Sequence, residues 1–174
     1  MFDILIVEDI EDTRDILKQT LRKINNITIH EAESAEEAED LVKNNDFDVV
    51  LTDLKLPEKD GLYVLEKAKN KNKDTDVIIL TGFGTVDKAV EAMKKGAYDF
   101  IEKPIDPERL VMMVRHAIEK NAWTKERDVL LTALDEKYRM IGDSQAMKKI
   151  FNKIKIFADS DAKVLITGET GTGK

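Results

Sequence analysis

Residues 48–61 read DVVLTDLKLPEKDG: a short apolar run, an aspartate at position 53, then a stretch punctuated by Pro57 and Gly61. An apolar run of this length bounded by turn residues is a strand signal, and apolar residues at consecutive positions suit a strand covered on both faces. Similar Ile- and Val-rich runs occur at 2–7, 27–30, 77–81 and 98–101. Between them the apolar residues take helical spacing: Leu17, Leu21 and Ile24; Ala35, Ala38, Leu41 and Val42; Leu62, Leu65 and Ala68; Val86, Ala89, Val90 and Met93. Five strand–helix units in about 120 residues predict an α/β fold, a doubly wound five-stranded parallel sheet of order 2-1-3-4-5, flavodoxin-like, with helices on both faces. In such a sheet the site lies at the carboxyl ends of the strands, where the winding reverses.

Composition narrows the function. The chain has 174 residues, 42% apolar and 36% charged, with no cysteine. That excludes a disulfide framework, a thiolate metal site and a cysteine nucleophile. No basic region followed by an apolar run opens the chain, and no stretch approaches the roughly 18 apolar residues of a membrane helix. A cytoplasmic protein without membrane contact is expected. The net charge of −7 is unevenly placed: residues 1–120 carry 18 Lys and Arg against 27 Asp and Glu, whereas 121–174 carry 10 against 8. The first section should repel nucleic acid.

The strand ends carry the chemistry. Glu8 and Asp9 follow the first run, Asp53 follows the third, which ends at Thr52, Thr81 ends the fourth and Lys103 follows the fifth. The first and third strands are neighbours in the expected order, so three carboxylates converge on one mouth. Close carboxylates raise each other's pKa unless a cation neutralises them. Mg²⁺, an oxygen-loving ion that keeps several waters, suits them. A hydroxyl and an ammonium facing an aspartate are what a phosphoryl group accepted by that aspartate needs.

These motifs, ILIVED, VVLTDLKLPEKDG, VIILTG and GAYDFIEKP, resemble those of the receiver domain of two-component response regulators, over residues 2 to about 120. The resemblance implies transfer of a phosphoryl group from a sensor histidine kinase to Asp53. It implies Mg²⁺ held by Asp9, Asp53 and the backbone carbonyl of Lys55, with Glu8 acting through water. Lys103 would pair with the phosphoryl group, and Thr81 and Phe100 would act as switch residues. Many members have tyrosine where Phe100 stands.

Asp106 and Pro107 open a fifth helix with neither Gly nor Pro before Tyr138, room for roughly 45 Å of helix. A heptad frame through Leu110, Met113, Ala117, Lys120, Thr124, Arg127, Leu131, Leu134 and Tyr138 is apolar at both ends. It predicts a coiled-coil seam and a homodimer, with Trp123 in the seam. Residues 67–73, KAKNKNK, are read as a solvated loop. A helix is expected from about 144 to 158 and a strand over 164–167, before the phosphate-loop pattern GETGTGK, with Gly168, Gly171, Gly173 and Lys174. This tail resembles the start of the AAA+ ATPase domain of sigma-54-dependent activators of the nitrogen regulatory protein C type. The expected division is a receiver at 1–120, a helical linker at 121–138 and the start of the ATPase domain at 139–174. The resemblance implies control of an ATPase acting on sigma-54 RNA polymerase and DNA in a longer protein, with ATP bound only there; the loop is expected to be inert in this chain. A phosphohydrolase forming an aspartyl phosphate is an alternative, but the second acid it usually needs two residues after the nucleophile is Lys55. A flavodoxin-like carrier would place a neutral phosphate loop where Glu8, Asp9, Glu11 and Asp12 stand. A stand-alone phosphate-loop nucleotidase needs more chain.

Overall fold

The computed structural model describes residues 1–82, 86–138 and 144–158, with Lys163 and Leu165. Strands β1 (Phe2–Val7), β2 (Ile27–Ala32), β3 (Val49–Asp53), β4 (Asp76–Thr81) and β5 (Asp99–Glu102) alternate with α1 (Glu11–Leu21), α2 (Ala35–Asn44), α3 (Gly61–Lys71) and α4 (Val86–Lys94). The helix α5 (Pro107–Tyr138) follows, then α6 (Gln145–Ala158). All strand pairs are parallel and their order is β2-β1-β3-β4-β5, as the sequence predicts.

Alternation along the strands builds two cores. Leu5 and Val7, Val50, and Val77 and Ile79 pack with Ala38, Val42, Leu65 and Ala92 from α2, α3 and α4. Ile4 and Ile6, Val49 and Leu51, and Ile78 and Leu80 face the other way, onto Leu17 and Leu21 of α1 and Leu110, Val114 and Ala117 of α5. Adjacent strand residues point to opposite faces, so a consecutive apolar run is what a doubly covered sheet requires. Each such large side chain contributes at most about 1.5–3 kcal/mol on leaving water.

Three expectations are corrected. β2 runs on to Ala32 rather than stopping at position 30, because Lys18 and Arg14 of α1 neutralise Glu31, the charge that looks like a strand end. Residues 67–71 are helix, not loop. The lysines there are held internally: Lys67 by Glu39 at 2.9 Å, Lys69 by the Lys73 carbonyl at 3.1 Å and Lys71 by the Lys43 carbonyl at 3.2 Å. The third correction concerns α5. Leu110, Met113 and Ala117, the first three seam positions of the heptad frame, are buried in the receiver's own core. An apolar stripe says that something covers it, and here the cover is the sheet.

The start of α5 forms as expected. The Asp106 side chain accepts from the Glu108 amide at 2.9 Å, and the Asp106 carbonyl accepts the first helical bond, from Leu110, at 3.0 Å. Beyond Ala117 polar contacts take over. Lys120 donates to Asp76 at 2.7 Å, Asn121 to the Asp48 carbonyl at 2.8 Å and Lys125 to the Asp48 carboxylate at 2.6 Å.

The chain divides into two compact units, Met1–Val129 and Leu130–Lys174. In the second, α6 opens with Ser144 accepting from the Met147 amide at 3.2 Å. The strand expected over 164–167, of which only Leu165 is described, and the phosphate loop with Gly168, Gly171, Gly173 and Lys174 lie outside the described residues.

Candidate functional site

The crossover between β1 and β3 sets the site. Val7 pairs with Thr52 in register, so Glu8 and Asp53 emerge side by side at the same end of the sheet. The Glu8 amide extends the ladder to the Ala32 carbonyl at 3.1 Å, and the Leu54 amide bonds the Leu80 carbonyl at 2.8 Å. Glu8 is fully buried and Asp53 is 7% exposed, whereas Asp9 is exposed. One ligand atom from each of Glu8, Asp9 and Asp53 falls within 4.8 Å of the others. Three of the sequence-predicted residues are therefore brought together.

Lys103 joins them from the far side. Its amide bonds the Thr81 carbonyl at 2.7 Å, which fixes the two strand ends to each other. Its ammonium donates to Asp53 Oδ2 at 2.5 Å and to Glu8 Oε2 at 2.8 Å. Burial pushes the Glu8 carboxyl above its usual value, against the opposing pull of Lys103. Burial would also pull the Lys103 ammonium down, but its bonds to Asp53 and Glu8 outweigh that and hold it raised. One ammonium thus serves two buried carboxylates, and Glu8 Oε1 finds no hydrogen-bond partner among the described residues. An unsatisfied buried oxygen costs about 1–3 kcal/mol. A set of carboxylate oxygens with surplus negative charge and an orphan acceptor fits a hard divalent cation.

The remaining residues fall into place around this cluster. The Lys55 amide donates to Asp53 Oδ1 at 3.0 Å, holding the carboxylate from the loop side. Thr81 is 4% exposed, with its hydroxyl 3.3 Å from the Gly82 carbonyl. Phe100 is 37% exposed on β5, so its ring is only partly covered. Gly61 is obligatory: a Cβ there would stand 2.2 Å from the Asp53 carbonyl oxygen. That close approach lets α3 begin against the end of β3, with Asp60 accepting from the Tyr63 amide at 3.4 Å.

Arg14 was not singled out in the sequence. Its guanidinium donates to the Glu8 carbonyl at 2.6 Å. The available signal was an arginine one turn into a helix whose entry carries four carboxylates. A concavity of about 550 Å³ lies elsewhere, lined by Lys23, Glu108, Val111, Met112, Arg115 and His116.

The sequence profile of the response regulator receiver domain matches residues 4–115, and that of the sigma-54 interaction domain matches residues 140–174. The chain is 39% identical over 174 residues to the transcriptional regulatory protein ZraR of Salmonella typhimurium, covering 99% of this chain and 38% of that protein. It is 35% identical over 171 residues to the response regulator protein PilR of Pseudomonas aeruginosa, covering 98% and 37%. The chain thus spans under two-fifths of the length of these relatives. Among solved structures, NtrX from Brucella abortus in complex with ADP superposes with a TM-score of 0.68 at 30% identity, over 91% of this chain and 34% of that one. A response regulator receiver domain protein from Clostridium thermocellum gives 0.65 at 32% identity, over 71% and 99%.

Proposed function

The chain belongs to the response regulator receiver domain family, and on that premise we propose that Asp53 accepts a phosphoryl group from a phosphohistidine of a sensor kinase. An Asp53 carboxylate oxygen attacks phosphorus, the new P–O bond replaces the P–N bond, and the histidine nitrogen leaves with the bonding pair. The observation that carries this reading is the Lys103 ammonium, bridging Asp53 and Glu8 beside Asp9. Lys103 holds the acceptor in place before transfer and is close enough to pair with a phosphoryl oxygen afterwards. Glu8, Asp9, Asp53 and the Lys55 carbonyl are the groups that would hold Mg²⁺, with Glu8 acting through water. Bound there, Mg²⁺ supplies positive charge against the carboxylates and the incoming phosphoryl oxygens. Thr81 and Phe100 are proposed to rearrange in response. A small-molecule phosphodonor with intact-mass readout tests the acceptor: Asp53→Asn should take no label, and undiminished labelling would refute the assignment.

The same proposal covers the organisation of the whole protein. Residues 1–120 form the receiver, 121–138 the linker, and 139–174 open an AAA+ ATPase domain that uses ATP and acts on sigma-54 RNA polymerase at DNA. Gly168, Gly171, Gly173 and Lys174 would contribute to its phosphate loop. A cytoplasmic setting belongs to this reading; no described helix is long and apolar enough to cross a membrane.

A second copy of the chain is the proposed partner of α5. Trp123 is 72% exposed, and Val129 and Leu131 are also open. Trp123 lies eleven residues after the exposed Met112, hence on the same helix face, opposite the buried Leu110 and Ala117. The proposed pairing stripe therefore centres on Met112 and Trp123, with Val129 and Leu131 about 100° to either side, and not on the first half of the heptad frame. Trp123 is the single tryptophan, so its emission should shift to shorter wavelength with rising concentration, together with a doubling of mass by light scattering. A concentration-independent spectrum with a monomeric mass at tens of micromolar would rule the pairing out.

A further inference from the structure

The entry to α1 is built in an unusual way. Residues 8–12 hold four carboxylates, Glu8, Asp9, Glu11 and Asp12, and the helix N-cap is Ile10, whose side chain caps nothing. Mutual repulsion and the missing cap both favour a loose loop, yet this loop carries two of the three carboxylates of the site. The structure shows what restrains it. The Glu8 amide is held by the Ala32 carbonyl at 3.1 Å, the Glu8 side chain by Lys103 at 2.8 Å and the Glu8 carbonyl by Arg14 at 2.6 Å. The third of these restrains the peptide that joins Glu8 to Asp9. Asp9 itself is exposed, and the orientation of its backbone depends on that peptide.

We infer that Arg14 is a positioning residue for the acidic site: by holding the Glu8 carbonyl it fixes the Glu8–Asp9 peptide and aims Asp9 at the position a divalent cation would take. Several features favour this over a plain surface ion pair. The Arg14 side chain is only 14% exposed. Its contact with the Glu31 carboxylate is long, 3.8 Å, while Lys18 already pairs with that carboxylate. The short bond goes to a main-chain oxygen, so the arginine is spent on geometry. A charge-assisted bond of this kind is roughly twice as strong as a neutral one, and partners that orient metal ligands typically change affinity by about 10–100-fold. The inference rests on the metal site of the proposed function, though not on Asp53 being the acceptor.

The sign of the effect makes the test decisive. Removing a cation beside a cation site, by charge alone, tightens binding of Mg²⁺; removing a positioning bond weakens it. Calorimetric titration of the whole chain with Mg²⁺ should show Arg14→Ala weakened about ten-fold and Arg14→Lys, which keeps a donor and the charge, lying between it and the parent. Hydrogen exchange at residues 8–11 of metal-free Arg14→Ala should be faster, while residues 48–53 stay as protected as before. Glu31→Gln, which removes the long contact but leaves the Glu8 bond, should bind Mg²⁺ like the parent. Unchanged or tighter binding by Arg14→Ala overturns the inference, and so does a Glu31→Gln variant that is equally weakened. If the parent chain takes no label on Asp53 while Arg14→Ala still loses Mg²⁺, the phosphoacceptor reading falls and the positioning role stands.

Discussion

Both ends of the central strands carry buried carboxylates, and the two ends use them differently. At the carboxyl end the buried Glu8 and Asp53 share one ammonium, Lys103, with the exposed Asp9 beside them, and Glu8 Oε1 is left without a partner among the described residues. At the amino end Asp48 and Asp76 meet Lys125 and Lys120 one to one, so the charges match there even though Asp76 Oδ2 is also without a hydrogen-bond partner among the described residues. Asp48 is bonded on every side: its carboxylate accepts from the Asp3 amide at 2.9 Å, and its carbonyl accepts from Asn121 at 2.8 Å and from the Asp76 amide at 3.0 Å. The matched end fastens α5 to the sheet. The end left short of positive charge is where an ion and a phosphoryl group fit. Excess charge at equal burial therefore separates a site from a fastening.

Breaking each end tests this contrast. The largest effect is expected at the mouth, where Lys103→Ala removes the only ammonium that reaches Asp53 and Glu8 among the described residues. Labelling of Asp53 by a small phosphodonor should fall about 100-fold, the order lost when one preorganised donor to a developing oxyanion is removed. Next comes Asp48→Ala, which strands the Asp3 amide and frees Lys125. It should cost about 2–3 kcal/mol in urea unfolding while Asp53 still takes label. A loss of labelling as severe as that of Lys103→Ala would erase the distinction between the ends.

A smaller effect is expected from pH at Asp76. Burial raises its pKa, against the pull of Lys120 and Lys69, with Asp74 nearby adding to the rise and the Tyr98 ring close to the same charges. A carboxyl raised in the folded state binds more protons there than in the unfolded chain, so its contribution to stability improves as pH falls. Parent protein should gain on Asp76→Asn between the raised folded value of Asp76 and the ordinary aspartate value, by thermal or urea unfolding. A difference that is flat across that window would show that Lys120 compensates the burial fully. The smallest effect is Phe100→Tyr. The ring is over a third exposed, so an added hydroxyl can reach water and stability should change by no more than about 0.5 kcal/mol.

Much of this was legible in the sequence because the strands are apolar at consecutive positions and end in charged residues. The run at 48–52 gives a doubly covered strand, and Asp53, which follows it, is the residue at its mouth. Asp106 and Pro107 marked the start of α5 for the same local reason. The misread parts share a cause: their partners are distant in sequence. Leu110, Met113 and Ala117 have helical spacing whether a sheet or a second helix covers them. Glu31 reads as a strand end until Lys18 and Arg14 reach it from α1. Lys71 reads as part of a solvated loop until the carbonyl of Lys43, 28 residues earlier, is placed beside it. Arg14 was missed because its acceptor is a main-chain oxygen, which no side-chain motif records.

The fastening at the amino end also limits how the mouth can influence α5. Asp48 and Asp53 bracket β3, so the two ends stand roughly 17 Å apart at about 3.3 Å per residue. Across that distance a unit charge added at Asp53 alters the energy of a charge at Asp48 by about 1 kcal/mol at an effective dielectric constant near 20. Solvent ions reduce this further, since the Debye length is about 8 Å. Such a field cannot release Lys125 from Asp48. Any message from Asp53 to α5 must therefore travel as displacement, passed between close-packed side chains such as Leu51, Leu80 and Leu110 that share one core. A cavity cut at Leu80 should weaken that transmission even with every charge in the molecule left in place.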